Sequence, residues 1–490
     1  MKTTIFKLIG FVLISAIAAQ IVFPQQPVNK PQLANDVRAE FLHAWNGYKK
    51  YAWGHDDLKP LSKTYHDWYA EPLMMTPVDA LDTMILMGFK GEANSTREYI
   101  VKNLSFNKDI SVQNFEITIR LLGGLLSSYQ LTGDKRLLNL AEDLGNRLLP
   151  VFDSPTGMPY RYVNLKTGKV RGNVTNPAEA GTLLIEFGAL GKLTHRPIFY
   201  DKAKRALVEI YNRRSPIGLV GTWINIETGQ WTDTDSHISG AIDSYYEYLL
   251  KCAILFDDQD CKRMWQDSIA AINKYLSEDK TEENLSLVGR IPYKELWYGH
   301  ADMNTGKRTA PTYGALDAFF PAVLALSGDL NHARLLQESS YKMWMKNDIE
   351  PEEINYQTME IIAPGYPLRP EIVESTYYLY HFADSTVKTS KVRKAGLPPP
   401  SIGKLNSDHY LQMGRMMFAD FVKHCRTDEG YAALKSVVTK EKADSMQSFL
   451  FAETFKYFYL LFAPTKTLDF EKVIFNTEAH PIRREWRAAL

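Results

Sequence analysis

The chain has 490 residues, of which 45% are hydrophobic and 23% are charged, with 57 basic and 57 acidic side chains. This composition is typical of a soluble globular protein that buries a sizeable core. A formal charge near zero provides neither a basic surface for nucleic acid nor a strongly acidic tail. We therefore expect no nucleic-acid partner.

The first residues differ from the rest of the chain. Lys2 and Lys7 precede an apolar run, and residues 16–18 have the small-x-small form of a cleavage site. The run is shorter than the roughly 20 residues that a membrane span needs. The pattern predicts a signal peptide at 1–19. It also predicts an exported, soluble protein, periplasmic or secreted, with no stable membrane span after cleavage and one domain at 20–490.

The cysteine count is odd, because the chain contains only Cys252, Cys261 and Cys425. Cys252 and Cys261 flank a short loop and could pair, but a buried, unpaired Cys252 in an apolar helix is an equal alternative. No CxxC motif or Cys/His cluster in the sequence suggests zinc. Four sequons could carry glycans in a eukaryotic secretory pathway, although such triplets also arise by chance; they begin at Asn94, Asn103, Asn173 and Asn284.

Seven segments are apolar nearly all round, which is typical of buried helices rather than of amphipathic surface helices. Most have a more amphipathic helical segment beside them in the sequence. Seven buried helices with seven outer helices predict a closed toroid of helical hairpins. The buried segments are residues 76–89, 115–133, 178–195, 243–256, 315–329, 370–385 and 448–463. The proline-rich stretch at 384–408 is predicted to be an irregular surface excursion within one domain.

Each buried segment carries at least one carboxylate in its first turns. One such residue is ordinarily a helix cap or a partner of the helix dipole. Such acids on all seven otherwise apolar helices predict a ring of carboxylates at one end of the barrel. Buried acids need a partner or a cation. Aromatic faces beside carboxylates suit carbohydrate chemistry, either as an enzyme or as a sugar-binding module without turnover. The acids are Asp79, Asp82, Glu116, Glu179, Asp243, Asp317, Glu371, Glu374 and Glu453.

Seven motifs resemble, in order and spacing, those of the class I α-1,2-mannosidases of glycoside hydrolase family 47. The resemblance runs from about residue 39 to residue 480. It implies an all-α (α/α)7 barrel with short β elements in the loops and a C-terminal plug, a bound Ca²⁺, and inverting hydrolysis of terminal α-1,2-linked mannose from an oligosaccharide. We also expect a monomer. The motifs are FLHAWNGYKKYAWGHDDLKP, VDALDTMILMGF, FEITIRLLGGLLSSYQLTGD, DSYYEYLLK, LRPEIVESTYYLY, SFLFAETFKYFYLLF and FNTEAHP.

The resemblance implies roles for three carboxylates and one metal ligand. Glu116 matches the family's acid, Asp243 the carboxylate of DSYYEY, and Glu371 the base. The division of the acid role between Glu116 and Asp243 stays open. Glu371 and Glu374 cannot form an inverting pair, because their i,i+3 spacing leaves no room for a water between them. In the family the Thr of NTEAHP binds Ca²⁺ through its hydroxyl and carbonyl oxygens, which predicts Thr477 as the ligand.

Further residues are expected to bind substrate or support the site. Arg120 and Arg369 are predicted to orient the neighbouring acids, although a structural ion pair is compatible with that role. By resemblance Phe449 stacks on the mannose ring and Glu453 accepts its hydroxyls. Glu186 is expected to line the cup together with Glu179. The complete predicted substrate-binding set is Arg120, Glu179, Arg369, Glu374, Phe449, Glu453 and Glu478.

The fifth buried segment departs from the family pattern. Processing members often carry an Asp-His pair where this chain has Gly314 and Ala315, and a disulfide cysteine where it has Ala318. This segment looks more like the ER degradation-enhancing mannosidase-like branch. Few cysteines and a signal peptide without a long stem suggest a bacterial member. The alternatives are a mannose-binding, lectin-like protein that lacks turnover, and a zinc-dependent transferase, whose Cys/His/Asp cluster is not found in the sequence.

Overall fold

The computed structural model describes residues 27–282, 293–383 and 406–486. The predicted signal peptide, the sequon at Asn284 and most of the predicted excursion at 384–408 lie outside these ranges. Within them, fourteen helices, numbered here in chain order, form two concentric rings. Even-numbered helices form the inner ring and odd-numbered helices form the outer ring.

The seven inner helices coincide with the seven segments that are apolar nearly all round. Each contacts the next inner helix, and the last contacts the first, so the ring is closed. The structure therefore confirms the predicted (α/α)7 barrel. The inner helices are α2 (Met75–Leu86), α4 (Asn114–Ile117, a π-helical turn Thr118–Leu122, and Gly123–Thr132), α6 (Pro177–Gly181 and Leu184–Thr194), α8 (Asp243–Phe256), α10 (Leu316–Phe319 and Phe320–Ser327), α12 (Glu371–Ala383) and α14 (Leu450–Thr454 and Phe455–Phe462).

The outer helices pack amphipathically on this ring and cover its sides. Polar turns join inner to outer helices: Gly133 has φ 75° and ends α4, and the Asp134 side chain then accepts a hydrogen bond from the Arg136 N–H to cap the next helix. The outer helices are α1 (Lys30–Tyr51), α3 (Lys90–Asn103), α5 (Lys135–Leu148), α7 (Pro197–Asn212), α9 (Gln259–Tyr275), α11 (Leu330–Met345) and α13 (Ser407–Cys425).

Short antiparallel strands fill the loops, as the resemblance implied. Four sheets have three strands, in the orders β3-β4-β5, β6-β7-β8, β13-β12-β9 and β14-β15-β16, and four are two-stranded pairs of successive strands. The strands are β1 Asp57–Lys59, β2 Thr64–His66, β3 Ser111–Gln113, β4 Tyr162–Asn164, β5 Val170–Arg171, β6 Val174–Thr175, β7 Trp223–Asn225, β8 Gln230–Asp233, β9 Asp235–Ser236, β10 Ser277–Glu282, β11 Tyr293–Tyr298, β12 His300–Asp302, β13 Arg308–Ala310, β14 Thr312–Gly314, β15 Glu353–Asn355, β16 Glu360–Ala363, β17 Arg426–Thr427, β18 Gly430–Tyr431, β19 Val473–Phe475 and β20 Pro481–Arg483. Outside the fourteen helices, the described ranges contain three short 3-10 turns, at Leu149–Phe152, Thr465–Thr467 and Phe470–Lys472.

The cysteines adopt one of the two arrangements that the sequence left open. Cys252 of α8 and Cys261 of α9 form a disulfide, with their Cα atoms 6.0 Å apart. Cys425 is a buried free thiol. The helices of the described ranges include none that combines the length and hydropathy of a membrane span.

The C-terminal segment enters the barrel as a plug, as predicted. Strands β19 and β20 form a hairpin, and Asn476 is the first residue of its turn. The Asn476 side-chain amide donates to the Ile119 carbonyl oxygen at 2.8 Å and to Glu186 at 2.7 Å. Its oxygen accepts from the backbone N–H groups of Glu478 and His480, at 3.0 and 2.7 Å. The turn is therefore tied to two inner helices.

A buried charge cluster anchors the other end of the turn. His480 Nδ1 lies 2.7 Å from Asp82 and its Nε2 lies 3.3 Å from Asp79. Lys456 of α14 contacts Asp82 at 2.8 Å and donates to the Ala479 carbonyl oxygen at 2.7 Å. Burial by itself would lower the pKa of His480, but the two aspartates raise it to about 9. His480 is therefore an imidazolium at neutral pH.

Two adjacent glycines of α4 make room for this cluster. A Cβ at Gly123 would stand 2.6 Å from the Asn476 amide nitrogen, and one at Gly124 would stand 3.1 Å from the His480 ring. The GG pair of the third family-like motif is thus explained by the close approach of the plug.

Gly47→Ala should destabilise the barrel. Gly47 is buried in α1, and a Cβ there would meet the Glu429 carbonyl oxygen at 1.8 Å. This backbone oxygen cannot move aside as the end of a flexible side chain can. We therefore expect the free energy of unfolding to fall by roughly 1–3 kcal/mol or more. Gly91→Ala, on α3 with no atom within 4 Å of the added Cβ, is the matched control and should change stability by less than about 0.5 kcal/mol. Equal denaturant midpoints for the two variants would contradict this packing.

His480→Gln should destabilise the protein in a pH-dependent way. The folded-state pKa of His480 is raised to about 9, so its contribution is fully present below the ordinary histidine pKa of about 6.5 and is lost as the pH rises through about 9. The difference in unfolding free energy between wild type and variant should therefore be larger at pH 6 than at pH 9.5. Denaturant unfolding at the two pH values measures this; an equal difference at both would exclude a charged His480.

Candidate active site

One cavity of about 330 Å³ opens among the first turns of the inner helices. The plug supplies part of its wall. All eleven residues predicted from the sequence line this cavity: Glu116, Arg120, Glu179, Asp243, Arg369, Glu371, Glu374, Phe449, Glu453, Thr477 and Glu478. The barrel thus brings together residues as distant in the chain as Glu116 and Glu478, which are 362 positions apart.

Arg120 joins the barrel wall to the plug. Its Nε donates to Glu116 at 3.1 Å, and its Nη1 binds Glu478. The guanidinium also lies 5.2 Å from the ring centre of Trp68 and 5.7 Å from that of Phe449. Burial disfavours the charge, but the neighbouring carboxylates raise the pKa of Arg120 further above its usual range. A permanent positive charge therefore lies within hydrogen-bond distance of Glu116.

Glu371 stands at the first position of α12 with one carboxyl oxygen uncommitted. Arg369 binds Glu352 through two hydrogen bonds of 2.9 Å, and its Nη1 lies 3.8 Å from Glu371 Oε1. Glu371 Oε2 is buried and has no hydrogen-bond partner. Burial raises the pKa of Glu371 to about 7 against the opposing charge of Arg369. A carboxylate that titrates near neutral pH is suited to general base catalysis.

Asp243 begins α8 and is held by its neighbour. Ser244 donates its backbone N–H at 2.7 Å and its hydroxyl at 3.2 Å to one carboxyl oxygen of Asp243. Burial, reinforced by the charge of Glu247, raises the pKa of Asp243 to about 7. The charge of Asp243 in turn contributes to the raised pKa of Glu371. The two carboxyls therefore share one electrostatic environment.

Further acids crowd the inner part of the cavity. Burial raises the pKa values of Glu374 and Glu478 to about 8 and raises that of Glu453 well above its ordinary value. Glu247 forms a buried ion pair with Lys251, and its second carboxyl oxygen has no hydrogen-bond partner. Such a concentration of buried carboxyls is stabilised by a bound cation.

Thr477 lines the same cavity as these acids. It lies half-buried on the cavity wall, and its backbone N–H donates to the Tyr248 hydroxyl at 3.3 Å. The residues that line the cavity include neither cysteine nor histidine. An all-oxygen donor set of hydroxyl, carbonyl and carboxylate groups fits a hard cation such as Ca²⁺ and does not fit a thiophilic metal.

Glu179 lines the cavity within a network of polar loop residues. It binds Arg161 through two contacts of 2.5 and 2.6 Å and accepts from Gln113 at 2.9 Å. Arg161 also packs 5.4 Å from the ring centre of Trp223. This arrangement extends the polar and aromatic wall toward the strands in the loops.

The expectation that Glu186 lines the cup is wrong. Glu186 is fully buried and accepts hydrogen bonds from Tyr248 at 2.6 Å and from Asn476 at 2.7 Å. Likewise, Asp79 and Asp82 are not part of the cavity wall but hold His480. These three acids therefore support the plug from behind.

Sequence reasoning missed three residues at this site. Glu247 follows Asp243 by one helical turn within the DSYYEY motif, so i,i+4 spacing could have identified it. Trp68 and Arg161 come from loop segments. No periodic pattern marks them, and only the fold brings Trp68 onto Arg120 and Arg161 onto Glu179, both of which line the cavity.

The sequence matches the protein family described as Glycosyl hydrolase family 47 over residues 40–391 and 405–484. It is 36% identical to alpha-mannosidase I MNS4 of Arabidopsis thaliana, over 96% of this chain and 72% of that protein. It is 34% identical to ER degradation-enhancing alpha-mannosidase-like protein 2 of Homo sapiens, over 91% of this chain and 76% of that protein.

The fold is similar to that of the solved alpha-1,2-mannosidase from Trichoderma reesei, with a TM-score of 0.79 and 26% identity over 93% of this chain and 99% of that one. All three relatives come from eukaryotes and give no support to the suggested bacterial origin. The family match and the shared barrel establish that this chain is a glycoside hydrolase that belongs to Glycosyl hydrolase family 47.

Proposed function

We propose that the protein is an inverting exo-α-1,2-mannosidase that depends on Ca²⁺ and removes terminal α-1,2-linked mannose from glycans or mannans. The observation that carries the proposal is Glu371, whose carboxyl group has one buried oxygen without a hydrogen-bond partner, on the wall of a cavity that also holds two further candidate acids. The mannosidase names of the relatives support this substrate class.

The proposed reaction is one displacement by water. Glu371 accepts a proton from the water, and the water oxygen attacks the anomeric carbon from the face opposite the leaving group. The glycosidic oxygen takes a proton from an acid, the bond to the anomeric carbon breaks, and mannose is released in the β configuration. Glu116 and Asp243 are the candidate acids. The raised pKa of Asp243, about 7, supports a proton-carrying role at neutral pH.

The inner end of the cup suits a single mannose ring. Phe449 offers an apolar ring face close to the Arg120 guanidinium, and aromatic faces stack on the apolar faces of sugars. Glu453 and Glu374 offer carboxyl groups on the cavity wall to the sugar hydroxyls.

Thr477 is the proposed Ca²⁺ ligand, through its hydroxyl and carbonyl oxygens. When bound, the ion would supply positive charge and bind sugar hydroxyls. Glu478 and the other inner acids would surround it and orient its waters. The protein's own contribution is to hold Thr477 rigidly, because the Asn476 hydrogen bonds and the His480 ion pairs fix both ends of the turn.

The alternative is a lectin-like protein that binds mannose without turnover. The same cup and cation would serve it, so only an assay of hydrolysis separates the two. The presence of all three candidate catalytic acids, Glu116, Asp243 and Glu371, on the cavity wall favours the enzyme. Export of the protein is a further proposal, supported by the signal-peptide pattern at residues 1–19.

Glu371→Gln should abolish most hydrolysis while sparing binding. The amide keeps the shape of the side chain but cannot accept the proton of water, and general-base losses are on the order of 10² to 10⁴-fold. The measurement compares hydrolysis of α-1,2-mannobiose with the affinity for a mannose-like inhibitor. Glu441→Gln, at an exposed ion pair with Lys435, is the control and should keep full activity. Loss of both hydrolysis and binding in Glu371→Gln would indicate a structural role instead.

Thr477→Ala should weaken Ca²⁺ binding without unfolding the barrel. The change removes the hydroxyl but keeps the carbonyl oxygen and the surrounding acids, so activity should be lost at low Ca²⁺ and partly restored by about millimolar Ca²⁺. Thermal stabilisation by the ion should also be smaller than in wild type.

The matched control for this experiment is Thr477→Ser, which keeps the hydroxyl and should follow wild type. Chelator-treated proteins are titrated with Ca²⁺ while hydrolysis and melting temperature are recorded. Identical titration curves for Thr477→Ala and Thr477→Ser would remove the Thr477 hydroxyl from the site. Full wild-type activity in chelator would remove the ion from the mechanism.

A further inference from the structure

Two histidines and an aspartate meet at the paired strands β9 and β12: Asp235 lies on β9, His237 follows its last residue, and His300 begins β12. In the pairing of these two strands Ser236 lies opposite Ala301. The residues next to Ser236 therefore come close to the residues next to Ala301. The rings of His237 and His300 stack with their centres 4.3 Å apart. Asp235 lies beside them, with its carboxyl oxygen 2.6 Å from His300 Nδ1. This juxtaposition is invisible in the sequence, where the two histidines are far apart.

The three side chains offer a compact donor set. One ligand atom from each residue lies within 4.8 Å of the ligand atoms of the other two. His237 is almost fully buried, at 6% exposed, whereas the side chains of His300 and Asp235 are 18% and 32% exposed. The cluster is therefore shielded from bulk solvent on one side and accessible to a small ion on the other.

Neighbouring groups already hold these ligands in place. The second carboxyl oxygen of Asp235 accepts from the Thr309 hydroxyl at 2.6 Å. His237 Nε2 lies 3.1 Å from the Thr222 hydroxyl, which itself donates to the Asp235 carbonyl oxygen at 2.7 Å. Outer hydrogen bonds of this kind orient the ligands of metal sites and fix the ring tautomer.

We propose that Asp235, His237 and His300 form a site for a divalent transition-metal cation of the Zn²⁺ class. Two imidazoles with one carboxylate suit such ions, whereas Ca²⁺ prefers oxygen ligands alone. On binding, the cation replaces the proton shared by His300 Nδ1 and Asp235, and that proton is released to solvent. One ring nitrogen of His237 supplies the third ligand and gives up its present partner, which is either the Ser239 N–H that donates to Nδ1 at 3.2 Å or the Thr222 hydroxyl 3.1 Å from Nε2. The other ring nitrogen keeps its bond to the protein, and water completes the coordination.

Such an ion would brace the cavity wall. The ligand His237 precedes Gly240 and Ala241 by only a few residues, and both of these line the cavity. A cation that links β9 to β12 would fix this segment just before Asp243 begins α8. The inference is independent of the proposed mannosidase activity, because the ligands belong to a different cluster from Thr477.

A second group of three potential ligands provides a competing site. Cys252, Asp258 and Cys261 also lie close together. The two cysteines form a disulfide, and a disulfide does not offer the thiolates that zinc requires. Under non-reducing conditions, only the histidine cluster should therefore bind the ion.

The test is to titrate the chelator-treated full chain with Zn²⁺ by calorimetry, without reductant, and to record the absorption spectrum with Co²⁺. Wild type should bind one equivalent that is lost or weakened at least tenfold in both His300→Gln and Asp235→Asn. His55→Gln is the matched control, because His55 pairs with Asp67 at 2.9 Å but forms no such group with a second histidine. It should bind as wild type does.

Melting temperatures in chelator show whether each variant is folded, and either folded variant is sufficient to decide. Three results would overturn the proposal: no saturable binding by wild type, equal affinity in wild type and in a folded His300→Gln or Asp235→Asn variant, or binding that is lost in Cys261→Ser but kept in His300→Gln. The third result would assign the ion to the cysteine group.

Discussion

The candidate site depends on one buried ionic cluster. His480 lies between Asp79 and Asp82, and Lys456 also binds Asp82, so these ion pairs fix the turn between β19 and β20. Because a charged group without a partner is very costly inside a protein, the turn has one favourable position. That position places Thr477 and Glu478 on the cavity wall. The polar turn after the last inner helix is thus part of the interior, and its conformation positions both Thr477, the proposed cation ligand, and Glu478, the ion-pair partner of Arg120.

The rest of the cup follows from the barrel. Inner helices that run in one direction bring their first turns to one end, so acids distant in sequence converge there. Burial raises the pKa values of Glu371, Asp243 and Glu374 to about 7, 7 and 8, which keeps protons available where a proton must be given and taken. The same crowding of acids makes the inner end favourable for a cation. Substrate, cation and water are therefore expected to share one negatively charged cup with an aromatic wall.

Much of this architecture could be predicted from the sequence, because a helix that is apolar all round must be buried and seven such helices can close a ring. Ten of the eleven predicted site residues lie in the ordered family-like motifs, and Glu179 lies in the first turns of the third buried segment; all eleven line one cavity. Glu186 shows where the reasoning failed. It was grouped with Glu179 in one segment, but α6 is interrupted between Gly181 and Leu184, and the two carboxyls separate. The pairing of the cysteines and the meeting of His237 with His300 depend on contacts between elements, which no periodicity encodes.

The most direct test of the central claim is a proton NMR time course of α-1,2-mannobiose hydrolysis by the purified protein in the presence of Ca²⁺. A single displacement by water on the Glu371 side predicts that β-mannose appears first and that α-mannose grows only later by mutarotation. Initial release of α-mannose would contradict the mechanism, and binding without any hydrolysis would leave a lectin-like function in its place.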